Sequence, residues 1–254
     1  MTEGDDRGGG YDGPVQIAPN LHRIGNDIVA AYLVEAGGEL TLIDAGVGGQ
    51  LSDLKAELES MGRSVSDIRG LVLTHGDTDH VGFAERLRRD HGVRVFVHEA
   101  DARRARGEVR KSNAGVGPMK IGPLLRFLWY AGRKGGMRTR WLSEIQAVTD
   151  GSTLDLPGSP EVIHLPGHTP GSIAVHVPSV DAVFVGDALT TGHVLTGATG
   201  PQPAPFTLDP EQAIASLAKI EGLGVTWVLP GHGPPWSGGV ADAVRLVRAA
   251  AGGS

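Results

Sequence analysis

The residues Thr74-His75-Gly76-Asp77-Thr78-Asp79-His80 follow directly on the apolar run Leu71-Val72-Leu73. Four side chains able to bind a metal ion, His75, Asp77, Asp79 and His80, therefore stand together at the end of a buried strand. Three more follow, each where an apolar strand runs into a glycine-rich turn: His168 in Pro-Gly-His-Thr-Pro-Gly, Asp187 in Val-Gly-Asp and His232 in Pro-Gly-His-Gly. Imidazole nitrogen and carboxylate oxygen suit zinc, iron or manganese, and seven such groups suffice for two ions. Two ions sharing a water lower its pKa towards neutrality and yield a hydroxide able to attack a carbonyl carbon. The constellation points to a dinuclear metal hydrolase that needs neither a serine nor a cysteine nucleophile.

Such groups converge only if regular elements hold their loops together. The first part of the chain reads as strands over 15–24, 28–34 and 40–44, separated by Gly, Asn and Asp turns. Leu51, Leu54 and Leu58 recur at helical spacing and predict a helix over 51–61. A strand over 71–74, a helix over 79–90, a strand over 93–97 and a short helix over 101–106 follow. Residues 107–142 break the rhythm: aromatic and apolar residues, among them Phe127, Trp129, Tyr130 and Trp141, are set among glycine, lysine and arginine. This stretch reads as an inserted helical lid. Strands resume over 145–148, 162–165, 173–177 and 182–185, followed by a helix over 210–220, a strand over 226–229 and a helix over 240–249. Two groups of strands, each followed by helices, predict two sheets packed face to face with helices outside, and one edge where all the metal-capable loops meet.

Composition narrows the functional class. The chain has 254 residues, 40% hydrophobic and 20% charged, with a formal net charge of -6. That length allows one large domain, here taken as 14–249, between a disordered tail over 1–13 and a frayed end over 250–254. The acidic balance and the lack of a basic stripe argue against nucleic acid as a partner. No stretch is long and apolar enough to span a membrane. The start is acidic and glycine-rich rather than basic and apolar, so no export signal is read and a cytoplasmic location is expected. The absence of cysteine excludes disulfides, thiolate ligands and cysteine nucleophiles. The expected partner is a small-molecule substrate, and a homodimer is left open.

Five motifs in order, Asp44-Ala45-Gly46, the 74–80 signature, Gly167-His168-Thr169, Gly186-Asp187 and Gly231-His232-Gly233, resemble those of the metallo-β-lactamase-fold hydrolase superfamily. The resemblance covers residues 15–236 and implies an α+β fold, an αββα sandwich with its dinuclear site at the sheet edge. It implies that His75 and His168 hold the first metal, that Asp79, His80 and His232 hold the second, and that Asp187 bridges them. It also implies two divalent metal ions, with zinc the usual choice. Position 77 departs from the family pattern, which has histidine there. Asp77 as a ligand makes the first site more anionic and shifts its preference towards iron or manganese. Asp44 is read first as a turn-former, with orientation of a ligand histidine as its second reading.

The reaction is less specified than the fold. Asp79 is the candidate catalytic residue, accepting a hydrogen bond from the nucleophile and returning the proton to the leaving group. Phe127, Trp129 and Tyr130 are the candidate walls of an apolar substrate pocket, Arg126, Arg133 or Lys134 the candidate receivers of an anionic group, and His193 a candidate substrate contact. His22, His91, His98, His164 and His176 are assigned to the surface or to strand packing. Hydrolysis of a small lactone, ester or thioester is the first expectation, ahead of β-lactam or nucleic-acid hydrolysis. An iron-dependent oxidoreductase acting on a sulfur compound or oxygen is the second, and a metal-binding sensor or carrier without turnover the third.

Overall fold

Successive side chains of a strand point to opposite faces, and here both faces of most strands are apolar, so each sheet must be covered twice. The computed structural model describes residues 15–109, 118–136 and 139–252, and the tail assigned to 1–13 lies outside them. A seven-stranded sheet runs in chain order through β1 (Val15–Ala18), β2 (Leu21–Gly25), β3 (Ala30–Ala36), β4 (Glu39–Ile43), β5 (Ile68–Val72), β6 (Arg94–His98) and β7 (Gln146–Val148). The first four strands are antiparallel; β4 to β7 are parallel. Parallel pairing requires crossovers, and α1 (Leu51–Ser60) and α2 (Ala84–His91) supply the first two. The third crossover holds α3 (Ala102–Ala105) and α4 (Ile121–Arg133).

The second sheet contains β8 (Glu161–His164), β9 (Ile173–Val177) and β10 (Ala182–Gly186) as an antiparallel set. A short ribbon of β11 (Thr190–Gly192) and β12 (Thr199–Gln202) and the helix α5 (Pro210–Ser216) intervene before β13 (Trp227–Pro230) pairs parallel to β10. Asp209 starts α5, its Oδ1 accepting the Gln212 N–H at 2.9 Å with Pro210 at the first helical position. The chain closes with α6 (Val240–Gly252).

Three apolar layers follow from the alternation. Tyr32, Ile43, Val72 and Phe96 of the first sheet meet Val175, Phe184 and Leu229 of the second. Their neighbours Leu33, Leu42, Leu71 and Val95 face outward onto Leu54, Leu58, Phe83 and Leu87. On the far side, Val183, Val185 and Val228 pack on Leu217, Ala243, Val244 and Val247. The result is the four-layer αββα sandwich expected from the sequence. The sheets are joined at the site edge by backbone hydrogen bonds, Ala30 N–H to Gly231 O and Ile173 N–H to Thr74 O, each 2.9 Å.

Several boundaries differ from the sequence expectation. The strand over 15–24 is a hairpin, because Asn20 takes a left-handed φ of 63° and turns the chain between β1 and β2. The helix expected from residue 79 begins only at Ala84. Before it, the backbone N–H groups of His80 and Val81 both bond Asp77 O in a tight turn that serves the site. The end expected to fray is helical through Gly252, and the β11–β12 ribbon is short and lacks the apolar alternation by which a strand shows in sequence. No helix among the described residues is long and apolar enough to cross a membrane.

The Tyr32 hydroxyl donates to Pro230 O at 2.7 Å across the buried inter-sheet layer. Tyr32→Phe is expected to lower unfolding free energy by about 1 kcal/mol in urea titration, since it leaves a buried carbonyl short of a partner; an unchanged midpoint would show that this bond contributes nothing to holding the sheets.

Candidate metal centre

Seven side chains converge where the strands of both sheets end. The loop after β5 brings His75, Asp77, Asp79 and His80; the turn after β8 brings His168; Asp187 directly follows β10, and His232 stands two residues beyond β13. Two glycines make this approach possible. A Cβ on Gly231 would lie 2.5 Å from His80 Cε1 and 2.6 Å from Asp187 Oδ1. A Cβ on Gly186, itself at φ 51°, would lie 2.3 Å from the Thr74 hydroxyl oxygen.

Three donor sets have their ligand atoms within 4.8 Å of one another: His75 with Asp77 and His168, Asp79 with His80 and His232, and His75 with His80 and Asp187. Asp187 Oδ2 is 3.6 Å from His168 Nε2 and 3.2 Å from His232 Nε2, while its Oδ1 is 3.5 Å from His80 Nε2. Donors on a tetrahedral ion with bonds near 2.1 Å stand about 3.4 Å apart, so these separations fit metal ligation. Asp187 lies between the two outer sets, as a bridging carboxylate must. His75 Nε2, His80 Nε2 and Asp187 Oδ1 are buried without a hydrogen-bond partner among the described residues. Orphaned buried polar atoms are costly, and here all three point to one remedy, a bound cation.

Each imidazole is oriented from outside. His80 Nδ1 lies 2.8 Å from Asp44 Oδ2, His75 Nδ1 3.1 Å from Thr74 Oγ1, and His168 Nδ1 3.3 Å from Thr207 Oγ1. His232 Nδ1 donates to Ile28 O. Because Thr74 and Thr207 pass their own hydroxyl hydrogens to Asp44 Oδ2 and Ala204 O, both threonine oxygens accept from the rings. With Nδ1 so used, Nε2 is the nitrogen left to hold a proton or a cation at the centre. Asp44 therefore performs both roles read from the sequence. It holds a left-handed turn at φ 61°, and its carboxylate accepts the Thr74 N–H at 2.8 Å while orienting His80.

The electrostatics follow from burial opposed by close unlike charges. Burial disfavours a charged His232, yet Asp187 and Asp79 outweigh it and raise its pKa to about 10. His80 is likewise held well above its ordinary value by Asp44 and Asp187 against burial. Burial would raise Asp79, but its bond to His232 and the charges of His80 and His232 bring it to about 2. Asp79 is thus an ionised acceptor at neutral pH. An entering cation must displace protons from His80 and His232, so metal uptake weakens as pH falls.

Two residues that sequence reasoning missed brace the first site. Asp101, fully buried, accepts the Gly76 N–H at 2.7 Å, the Thr169 hydroxyl at 2.8 Å and the Gly171 N–H at 2.9 Å. It ties the turn carrying His75 to the turn carrying His168. Arg104 Nη1 donates to Asp77 Oδ1 at 2.7 Å. Neither position stands out in the sequence, since Asp101 lies in a mixed polar turn and Arg104 is one of three arginines within four residues.

A cavity of about 160 Å³ opens over the centre. Asp77, Asp79, Asp187, His168 and His232 form its floor, and Val29, Val47, Val194, Phe206, Phe127 and Tyr130 its apolar wall. Phe127 and Tyr130 share one face of α4. Trp129 does not line the cavity: it falls on the opposite face with Leu125 and Leu128, is 64% exposed, and carries the Arg133 guanidinium 5.5 Å from its ring centre. His193 lines a neighbouring cavity with Arg126, and its Nδ1 accepts the N–H groups of Leu195 and Thr196 at 3.3 Å, closing its own turn. No lysine or arginine is among the described residues around the central cavity; Lys134, considered as an anion receiver, is paired with Asp53 at 2.8 Å.

A model of the metallo-beta-lactamase superfamily matches residues 24–232. The chain belongs to that superfamily. Within it, a probable metallo-hydrolase of Bacillus subtilis, YflN, is 26% identical over 240 residues, 88% of this chain and 87% of that one. A hydroxyacylglutathione hydrolase of Ruegeria pomeroyi is 30% identical over 209 residues, 80% of this chain and 61% of its own length. Among solved structures, TTHA1623 in a di-iron-bound form shows 28% identity and a TM-score of 0.59, over 90% of this chain and 96% of that chain. The superfamily's divalent-metal chemistry and the clusters found here agree, and this chain is a metal-dependent hydrolase.

Two outcomes are expected of this superfamily member's site. Asp44→Asn retains a residue that tolerates the left-handed backbone but removes the charge facing His80; it should cost about 10–100-fold in metal affinity, read by competition with a chromogenic chelator, and an unchanged affinity would remove Asp44 from the metal site. Because the candidate ligands come from both sheets, chelation should lower the melting temperature and zinc or manganese raise it again, a stabilisation of about 4 kcal/mol when free metal is a thousand times its dissociation constant; a melting temperature indifferent to both would contradict a structural coupling.

Proposed function

We propose that this metallo-hydrolase cleaves a compact, uncharged carboxyl derivative, a lactone, ester or thioester, at the centre formed by His75, Asp77, His168, Asp79, His80, His232 and Asp187. The observation that carries the reading is the central cavity, in which a carboxylate and imidazole floor meets an apolar wall without a cationic side chain among the described lining residues. Divalent ions, if held by these residues, would supply an acidified water and a polarised carbonyl. The residues do the rest. Asp79, ionised and 25% exposed at the cavity floor, accepts the proton of the attacking water and returns it to the leaving alkoxide or thiolate. Phe127, Tyr130 and Val194 exclude bulk water and seat the apolar part of the substrate.

The similarity to hydroxyacylglutathione hydrolases supports the thioester member of this group. A glutathione thioester carries carboxylates, and a cation that could meet one is Arg126, which lines the adjoining cavity together with His193. An oxidative reading has one observation in its favour, the carboxylate at position 77, and agrees with the di-iron form of TTHA1623.

The test is a panel of aliphatic esters, γ-lactones, acyl thioesters and a chromogenic cephalosporin, run on protein loaded separately with zinc, manganese and iron. Turnover of the first three, with kcat/KM falling when a carboxylate is placed on the acyl group, is expected. Turnover of the cephalosporin alone, or oxygen uptake with a thiol and no hydrolysis, would replace this reading.

A further inference from the structure

We propose that Asp77 and Arg104 act as one unit in place of the histidine the superfamily pattern has at position 77, and that Arg104 thereby determines which metal the first site accepts. The inference rests on the metal-centre reading above. Arg104 Nη1 bonds Asp77 Oδ1 at 2.7 Å, which leaves Oδ2 as the free donor. That atom stands 3.8 Å from His75 Nε2 and 3.6 Å from His168 Nε2, within the spacing of a shared ion. One oxygen bound to guanidinium and one presented inward gives the geometry of a single-donor ligand, as an imidazole would.

Charge makes the same point. A carboxylate in place of a neutral imidazole adds one negative charge to a site already holding Asp187, and the guanidinium beside it cancels that charge. The pair is sheltered, with side-chain exposures of 11% for Arg104 and 19% for Asp77, so solvent screens it far less than a surface pair. The ligand loop is also moulded to the arginine. A Cβ on Gly76 would stand 3.0 Å from Arg104 Cβ and Cγ and 2.7 Å from the Ala105 nitrogen, so glycine at 76 lets the His75–Asp77 turn lie against the arginine stem. Released from Arg104, Asp77 becomes free to chelate through both oxygens as an uncompensated anion, a hard donor suited to manganese over zinc. Conversely, a histidine at 77 with Arg104 kept would leave a buried cation facing a metal ion with nothing between them to neutralise it.

The experiment compares the full-length wild-type protein with Arg104→Met, Asp77→His and the double variant. Each is stripped of metal and dialysed against equal zinc and manganese; bound metals are counted by mass spectrometry and folding is checked by circular dichroism. Arg104→Met should raise the bound manganese-to-zinc ratio about tenfold, Asp77→His should lose about tenfold or more in zinc affinity at one site, and the double variant should regain it. Rescue by the second substitution is what a merely structural role for Arg104 would not produce. Should Asp77→His fail to fold, the Arg104→Met ratio decides alone. Wild-type stoichiometry and ratio in every folded variant overturn this inference alone, whereas a wild-type protein that takes up no metal overturns the metal-centre reading and this one with it.

Discussion

Everything at the centre depends on how four imidazoles spend one ring nitrogen. A neutral imidazole offers one donor and one acceptor. In His75, His80, His168 and His232 the donor is taken by Thr74, Asp44, Thr207 and the Ile28 carbonyl respectively. Three of those partners lie far along the chain from their histidine, and Thr74, the neighbour of His75, is itself held by Asp44, so the tautomer of each ring is a product of tertiary structure. The remaining nitrogens then face three carboxylates in buried space. Protons or metal ions must occupy that space for the arrangement to be stable.

The sandwich supplies the rigidity this requires. Each candidate ligand lies in a loop or turn that follows a strand packed into the apolar layers, so its backbone cannot drift far without disturbing one of them. The loops are then braced against one another by Asp101, which receives three hydrogen bonds from two ligand turns. Charge is balanced on the same plan: Asp44 offsets a histidine on one side, Arg104 offsets an aspartate on the other.

What the sequence made legible were the features written locally. His or Asp within a glycine-containing turn that follows an apolar run marked all seven converging residues, because a strand followed by a tight turn is encoded within a few positions. The layer order was equally readable from Leu71 against Val72 or Leu42 against Ile43, where both faces had to be covered. Relations between distant segments were not. Arg104 is indistinguishable from Arg103 and Arg106 until the third crossover is folded against the 75–77 turn. Trp129 and Tyr130 are adjacent in sequence and equally aromatic, and only the orientation of α4 sends one to the cavity and the other to solvent. The surroundings of Asp77 were misjudged for the same reason: an anionic site was expected, and the cation that balances it lies on another element.

The bond from His232 Nδ1 to Ile28 O joins residues 204 positions apart. A chain grows from its N-terminus, so the first-site residues His75, Asp77 and His168 are all made well before the last imidazole of the second. Until β13 has been synthesised and laid beside β10, the carbonyl of Ile28 waits for its partner and Asp79, His80 and Asp187 lack the last imidazole of their set. A chain halted before β13 thus lacks one imidazole of the centre, and the complete set of seven groups requires translation through to that last strand.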